Sequence, residues 1–354
     1  MNLLIGNLSH FLLSLRKISV LKISASIYSN LQKPLPELVL ELEQAGVDML
    51  HVDCNDTEAV FEDIAQLNTL TTLPIDLHII SERAAFYLEK VSHCKVDFCC
   101  LQKELLVEIP TVLANKQTQF GIAFKTETAL ENIDKIIQKG YNYIMLMCTT
   151  PGKSGGTFQK ENFQRIIYLK QHFPQLKIQV DGGVDSEIAF VLRLLGVDFF
   201  VSGSYLVNND LPSAKMVSFF KPILTDKFSV KDFMLPVDFL PILHENDFTF
   251  YKALEKIEAY KFGFVLITNT AEKFVGIITN ADCRRALLAN FEQVATIQLS
   301  QIANFNSFSI NENKSLAAMW HLINEIPFII LFLPVINDEN KLTGAVLLNT
   351  LTRG

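Results

Sequence analysis

Between Val20 and Asp226 the chain alternates a short, apolar, β-branched run with an amphipathic helical pattern, and it does so eight times. The apolar runs fall at 20–26, 48–53, 74–79, 95–101, 119–124, 143–148, 177–181 and 198–202. Between them lie strings such as "LPELVLELEQAG", "SERAAFYLEKV", "ALENIDKIIQKG" and "KENFQRIIYLKQHF", with apolar residues at helical spacing. Eight strand–helix units in a row predict an α/β fold closed into a (β/α) barrel rather than an open sheet. In such a barrel, chemistry sits at the carboxyl ends of the strands.

Those ends carry a pattern. "LHVDCND", "PIDLHII" and "IQVDGGV" each break from an apolar run at polar residues, and they supply His51, Asp53, His78 and Asp181. His51 and Asp53 are two apart on a strand, so both side chains point to one face. Two imidazoles and two carboxylates suit one divalent cation, zinc or iron first, with manganese or cobalt also compatible. A single buried His–Asp pair is ordinarily a hydrogen-bonded core pair. Three strands ending in ligand-type residues at one face is a different matter, and predicts a metal site.

A second signal follows in "TPGKSGG" (Thr150–Gly156), "DGG" (Asp181, Gly182, Gly183) and "SGS" (Ser202, Gly203, Ser204). Glycine lets backbone N–H groups approach an anion closely, and the last loops of a barrel recurrently cradle phosphate. Tight turns would also use glycine, but three neighbouring turns predict a phosphate pocket.

Residues from about 20 to 205 resemble the ribulose-phosphate 3-epimerase family through "ISASI", "LHVDCND", "PIDLHII", "IMLMCTTPGKSGGTF", "IQVDGGV" and "VSGS". The resemblance implies a TIM barrel and a metal held by His51, Asp53, His78 and Asp181. It implies that Asp53 and Asp181 are the catalytic acid/base pair, acting at C3 through a metal-stabilised enediolate. It places Ser26 and Met147 near the substrate. With the glycine turns it gives a phosphate-binding set of Gly152, Ser154, Gly155, Gly156, Gly182, Gly183, Gly203 and Ser204. The substrate so implied is D-ribulose 5-phosphate, converted to D-xylulose 5-phosphate. The walls depart from the family: Asn55 and Ile80 replace methionines, Gln102 stands where a histidine is usual, and Lys125-Thr126 replaces Asn-Pro. The family's longer lid loop after the second strand is shortened to "CNDTEAVFEDIAQLN". A different sugar phosphate, used in surface-carbohydrate synthesis, is therefore the first rival reading, and a catalytically inactive nucleotide-sensing scaffold the second.

After about residue 226 the rhythm changes. The matched strings "AEKFVGIIT" and "ENKLTGAVL" mark two copies of a smaller unit. The expected division is 1–226 for the barrel, with 1–19 an extra segment, and 227–354 for the pair, split at about 229–291 and 295–354. The pair resembles a tandem CBS module, often an adenine-nucleotide sensor. In copy one Thr279 and Asp282 match the ribose-binding Thr-x-x-Asp pattern; copy two has Leu347 and Thr350 there. The plain alternative is a module that only dimerises the enzyme, and a homo-oligomer is expected either way.

Composition limits the rest. A net charge of −7 argues against a nucleic-acid surface. The six cysteines include no C-x-x-C, and several sit in apolar runs, which fits reduced thiols and a cytoplasmic setting. The opening "MNLLIGNLSHFLLSLRK" lacks a basic start and is too short and interrupted for a membrane span, so it is expected to pack as a helix under the barrel.

Overall fold

The structure is a computed structural model that describes residues 21–30, 32–112, 117–149, 156–208 and 212–352. The expected N-terminal helix within 1–19 lies outside these residues, as do Gly152, Ser154 and Gly155 of the expected phosphate loop. The chain divides into two compact units, Leu224–Asn349 and the remainder.

The first unit is a closed, all-parallel barrel of eight strands in sequence order. They are β1 (Lys22–Ser26), β2 (Met49–Cys54), β3 (Ile75–Ile79), β4 (Phe98–Gln102), β5 (Gln119–Lys125), β6 (Tyr143–Met147), β7 (Lys177–Asp181) and β8 (Phe199–Ser202). The connecting helices are α1 (Leu35–Ala45), α2 (Val60–Leu70), α3 (Ala84–Val91), α4 (Ile133–Gln138), α5 (Glu161–His172) and α6 (Ser186–Leu194). A four-residue turn of helix, α7 (Ser204–Val207), follows β8, and then α8 (Pro212–Phe220). The alternation is incomplete at one place. Among the described residues, β4 leads only into a 3-10 turn, Lys103–Leu105, where the eight-unit pattern predicts a helix. The "KELLVEIP" run ends in a proline and offers too few helical turns to bury a face.

The helices form for legible reasons. In α1 the buried residues Leu38, Val39, Leu42 and Ala45 make one apolar stripe against the barrel. Gly46 then stops the helix in the left-handed region at φ +89°, donating its N–H to Leu42 O.

Inside the barrel, alternate residues of each strand point inward. Met49, Phe98, Cys100, Ala123, Tyr143, Met145, Met147 and Phe199 form one buried apolar cluster there. The Phe98, Tyr143 and Phe199 rings pack at 5.3 to 6.1 Å between centroids. Polar residues share the barrel interior with that cluster: Ser24, His51, Asp76, His78, Gln102 and Gln179 are all buried. Strand register sets their levels, pairing Ser26 with His51, Asp53 with His78, and Met147 with Asp181.

The second unit shows the duplication that the matched strings predict. Strands β9 (Leu235–Pro236), β10 (Ile242–His244), β11 (Phe264–Thr268) and β12 (Phe274–Thr279) belong to its first part. Strands β13 (Ile310–Asn311), β14 (Phe332–Ile336) and β15 (Leu342–Leu347) belong to its second. The sheets run β10-β11-β12 and β13-β14-β15-β9. Each contains a parallel pair and then an antiparallel hairpin, with a register shift one residue before the end of β11 and of β14. Phe264 and Phe332, which open those two strands, stack at 3.7 Å. Among the described residues no helix is long and apolar enough to cross a membrane.

Candidate active site

The ends of β2, β3 and β7 deliver His51 and Asp53, His78 and Asp181 into the same mouth. The donor atoms of His51, His78 and Asp181 all lie within 4.8 Å of one another. Asp53 completes the set from the side, its Oδ1 standing 3.2 Å from His51 Nε2 and 3.4 Å from His78 Nδ1. The structure therefore brings together the four residues that the sequence singles out.

The far nitrogens of both rings are already engaged. His51 Nδ1 lies 2.8 Å from Asp76 Oδ2, and a carboxylate can only accept, so this nitrogen carries the proton. The same Oδ2 takes hydrogen bonds from the Ser24 hydroxyl at 2.9 Å and Gln179 Nε2 at 2.6 Å, all out of water. His78 Nε2 lies 2.9 Å from Gln102 Oε1. Consequently His51 Nε2 and His78 Nδ1 are the atoms turned toward the carboxylates. His78 Nδ1 is buried and has no hydrogen-bond partner among the described residues. A buried, unpartnered imidazole nitrogen beside two carboxylates suits a cation, and carboxylates and amides behind metal-binding imidazoles orient the rings in just this way. The residues fit a divalent metal.

Electrostatics agrees. Burial alone would lower His51, but Asp76 and Asp53 outweigh it and hold the ring well above its ordinary value. Burial alone would raise Asp53; the two imidazoles outweigh it and hold that carboxyl well below the usual range. Burial pushes Asp181 up to about 6, against the pull of the same imidazoles and with Asp53 adding to the rise. The protein's own field thus drives the two carboxyls apart in opposite directions.

Beside this cluster opens a cavity of about 530 Å³, within the usual range for small-molecule sites. Its lining includes Ser26, Asp53, Met147, Gly156, Asp181, Gly182, Gly183, Gly203 and Ser204, all anticipated from the sequence. Two glycines there are required by the backbone. Gly182 sits at φ +103° with Thr149 against it, and Gly183 at φ +69° with Phe158 N where a Cβ would be. The lining also includes Tyr28, Ser29, Thr149, Asp185 and Tyr205, which the sequence reading did not single out. Tyr28 donates to Asp63 Oδ2 at 2.6 Å, and Asp185 caps α6 by accepting from Ile188 N at 2.9 Å. Nothing local in the sequence distinguishes such wall residues from ordinary turn residues.

Asp76 and Gln179 were also missed, and here a signal existed. Asp76 lies two residues before His78 and Gln179 two before Asp181, so strand alternation alone puts them on the inner face.

In the second unit Thr279 and Asp282 open a helix, α9 (Asn280–Ala289), as a capping box. Asp282 Oδ2 accepts from Thr279 N at 2.8 Å and from its hydroxyl at 2.6 Å, while Oδ1 pairs with Arg285.

Comparison with known proteins follows the same division. The model of the ribulose-phosphate 3 epimerase family matches residues 22–207, and the CBS domain model matches 230–289. Ribulose-phosphate 3-epimerase of Methanocaldococcus jannaschii is 28% identical over 232 residues, 59% of this chain and 97% of that protein. The Chlamydia trachomatis and Helicobacter pylori proteins of the same name are each 28% identical, covering 48% of this chain and 78% and 84% of their own lengths. Among solved structures, the CBS-pair protein CBSX2 from Arabidopsis thaliana aligns with 36% of this chain and 92% of its own at 19% identity, with a TM-score of 0.31. A family match spanning more than half of the chain, on an eight-stranded barrel with its polar residues at the strand ends, settles the barrel's membership: the chain belongs to the ribulose-phosphate 3-epimerase family.

Proposed function

We propose that the barrel is a metal-dependent epimerase that inverts C3 of a ketose phosphate, with D-ribulose 5-phosphate giving D-xylulose 5-phosphate as the first substrate to test. The observation that carries this reading is the convergence of His51, His78 and Asp181 within 4.8 Å, with Asp53 against both imidazoles.

Under this reading His51 Nε2, His78 Nδ1, Asp53 and Asp181 hold one divalent cation, zinc or iron by the softness of the donors. When bound, it polarises the ketone oxygen and offsets the negative charge that gathers there. The protein's residues do the rest. One of the two aspartates, as carboxylate, takes the C3 proton on one face; the other, as carboxylic acid, returns a proton to C3 on the opposite face. After turnover the two have exchanged protonation states, so the reverse reaction uses the same groups in swapped roles. The phosphate lies toward Gly182, Gly183, Gly203 and Ser204, where backbone N–H groups can reach it. Ser26 and Met147 line the wall on either side. A cytoplasmic setting belongs to the same reading, since most of the cysteines lie buried as free thiols, as suits a reducing compartment.

The test is solvent deuterium incorporation at C3, followed by NMR with a panel of ketose phosphates and stoichiometric metal. Exchange into ribulose 5-phosphate is expected in the parent. Exchange only into another phosphoketose would move the substrate; none in any, with metal bound, would defeat the reaction.

For the second unit the reading extends to adenine-nucleotide binding at Thr279 and Asp282, supported by the match of 230–289 to the CBS domain. The ribose hydroxyls would compete with Arg285 for Asp282 Oδ1. AMP is expected to raise the melting temperature of the full chain, and Asp282→Ala to remove the rise; a flat response in the parent refutes it.

A further inference from the structure

The group that decides which nitrogen His78 offers is two hydrogen bonds away from it. We infer that Glu104 is a positioning residue that locks the tautomer of His78 by fixing the orientation of the Gln102 amide. The inference rests on the metal reading above for its consequence, though not for its geometry.

A glutamine amide presents oxygen or NH₂ in nearly the same shape. With oxygen toward His78, the ring must carry its proton on Nε2, which leaves the Nδ1 lone pair for a cation. With NH₂ toward His78, the ring must accept at Nε2 and carry its proton on Nδ1, and the cation loses a ligand. Gln102 is buried, so water cannot arbitrate between the two.

Glu104 arbitrates. It sits in the turn Lys103–Leu105 directly after β4, and its Oε2 contacts Gln102 Nε2. Its other oxygen, Oε1, accepts from the backbone N–H of Lys125 at 2.9 Å and from the Thr128 hydroxyl. A carboxylate has no proton to donate, so the amide nitrogen must face Glu104 and the amide oxygen must face His78, 2.9 Å from Nε2. The whole chain of constraint starts at the end of β5, whose Ala123 pairs in register with Gln102. His51, by contrast, is held by Asp76 directly. Both imidazoles are thus set by a carboxylate, one of them through an amide.

The decisive variant is Glu104→Gln, which is isosteric. The backbone N–H of Lys125 can only donate, so the new amide keeps its oxygen there and turns its NH₂ toward Gln102. Two NH₂ groups then oppose each other, Gln102 flips, and His78 moves its proton to Nδ1. In histidine-labelled, metal-free protein, ¹⁵N–¹H imidazole correlation spectra should show His78 as Nε2–H in the parent and Nδ1–H in the variant. Zinc affinity, by competition with a chromophoric chelator, should fall about 10- to 100-fold, the range seen when a second-shell partner is lost. The swap Gln102→Glu with Glu104→Gln reverses the donor between the two positions but again puts an acceptor oxygen against His78 Nε2, and should restore both the Nε2–H tautomer and the affinity.

A Glu104→Gln protein with parental tautomer and affinity overturns the inference, and so does a double variant no better than the single. If Glu104→Gln does not fold, the double variant decides alone: Nε2–H with parental affinity supports the lock, Nδ1–H or lost affinity overturns it. A tautomer that switches as described in a protein without zinc affinity upholds the lock and defeats the metal reading instead.

Discussion

Two places in this chain set aspartates at or just beyond the end of a β-strand, and they use them differently. In the barrel, Asp53 faces two imidazole nitrogens, and Asp181 takes its electrostatic environment from His51, His78 and Asp53 without a hydrogen bond to any of them. In the second unit, Asp282 is fully engaged: one oxygen closes a capping box with Thr279 and the other meets Arg285. The sequence strings look equally suggestive, "QVDGG" in one and "TNAD" in the other. The difference is that the barrel aspartates lie among buried nitrogens with their proton positions already fixed, whereas Asp282 satisfies the start of its own helix. An acidic motif carries chemistry to the extent that its oxygens are not needed by the fold.

The largest effect should come from breaking the barrel side of this contrast. Asp181→Asn keeps the shape and removes the proposed acid/base function, so C3 proton exchange should fall by about 10²- to 10⁴-fold, the usual worth of a positioned general acid or base. Asp282→Asn in the other unit should leave exchange in the absence of nucleotide unchanged. Deuterium incorporation measured on both variants, with circular dichroism to confirm folding, tests the pair. Equal losses in both would show that the contrast drawn from the hydrogen bonds is wrong.

A smaller effect is expected one layer out. Asp76 holds His51, and three donors converge on its Oδ2. Asp76→Ala should weaken zinc binding by about 10- to 100-fold by freeing the His51 ring. It should also destabilise the fold, since three buried donors lose their acceptor, each at about 1–3 kcal/mol. Asp76→Asn keeps an acceptor for them and should lie between the parent and the alanine variant in both measurements. An alanine variant with unchanged zinc affinity would show that His51 needs no outside support.

Much of this was readable in the chain itself, and the exceptions have physical causes. The barrel follows from periodicity: β-branched runs closed by helix-ending glycines such as Gly46 leave few other folds. His51, Asp53, His78 and Asp181 were visible because polar residues at the ends of apolar runs are conspicuous. That β4 leads, among the described residues, only into a 3-10 turn was not visible, because the apolar residues after it mimic a short helical stripe. Glu104 was invisible for another reason. It acts through Gln102 on His78, and the contact joins the turn after β4 to the end of β5, a separation of 21 residues to Lys125 that no local pattern encodes. Lining residues such as Tyr28 and Tyr205 reach the cavity only through the closure of the barrel between β8 and β1.

The smallest effect sharpens the other side of the comparison. If Thr279 serves only as a helix cap, Thr279→Ala should cost about 1 kcal/mol, the typical loss for a Ser/Thr/Asp/Asn cap. That cost would be the same with and without AMP. If Thr279 and Asp282 also bind ribose, the parent gains stability from AMP that the variant cannot, and the gap widens; at a ligand concentration of 100 Kd the extra separation approaches about 2.7 kcal/mol. Urea unfolding of both proteins at several AMP concentrations separates the cases. A constant gap would leave Asp282 as a structural carboxylate only, in contrast to the role proposed for the barrel's less engaged aspartates.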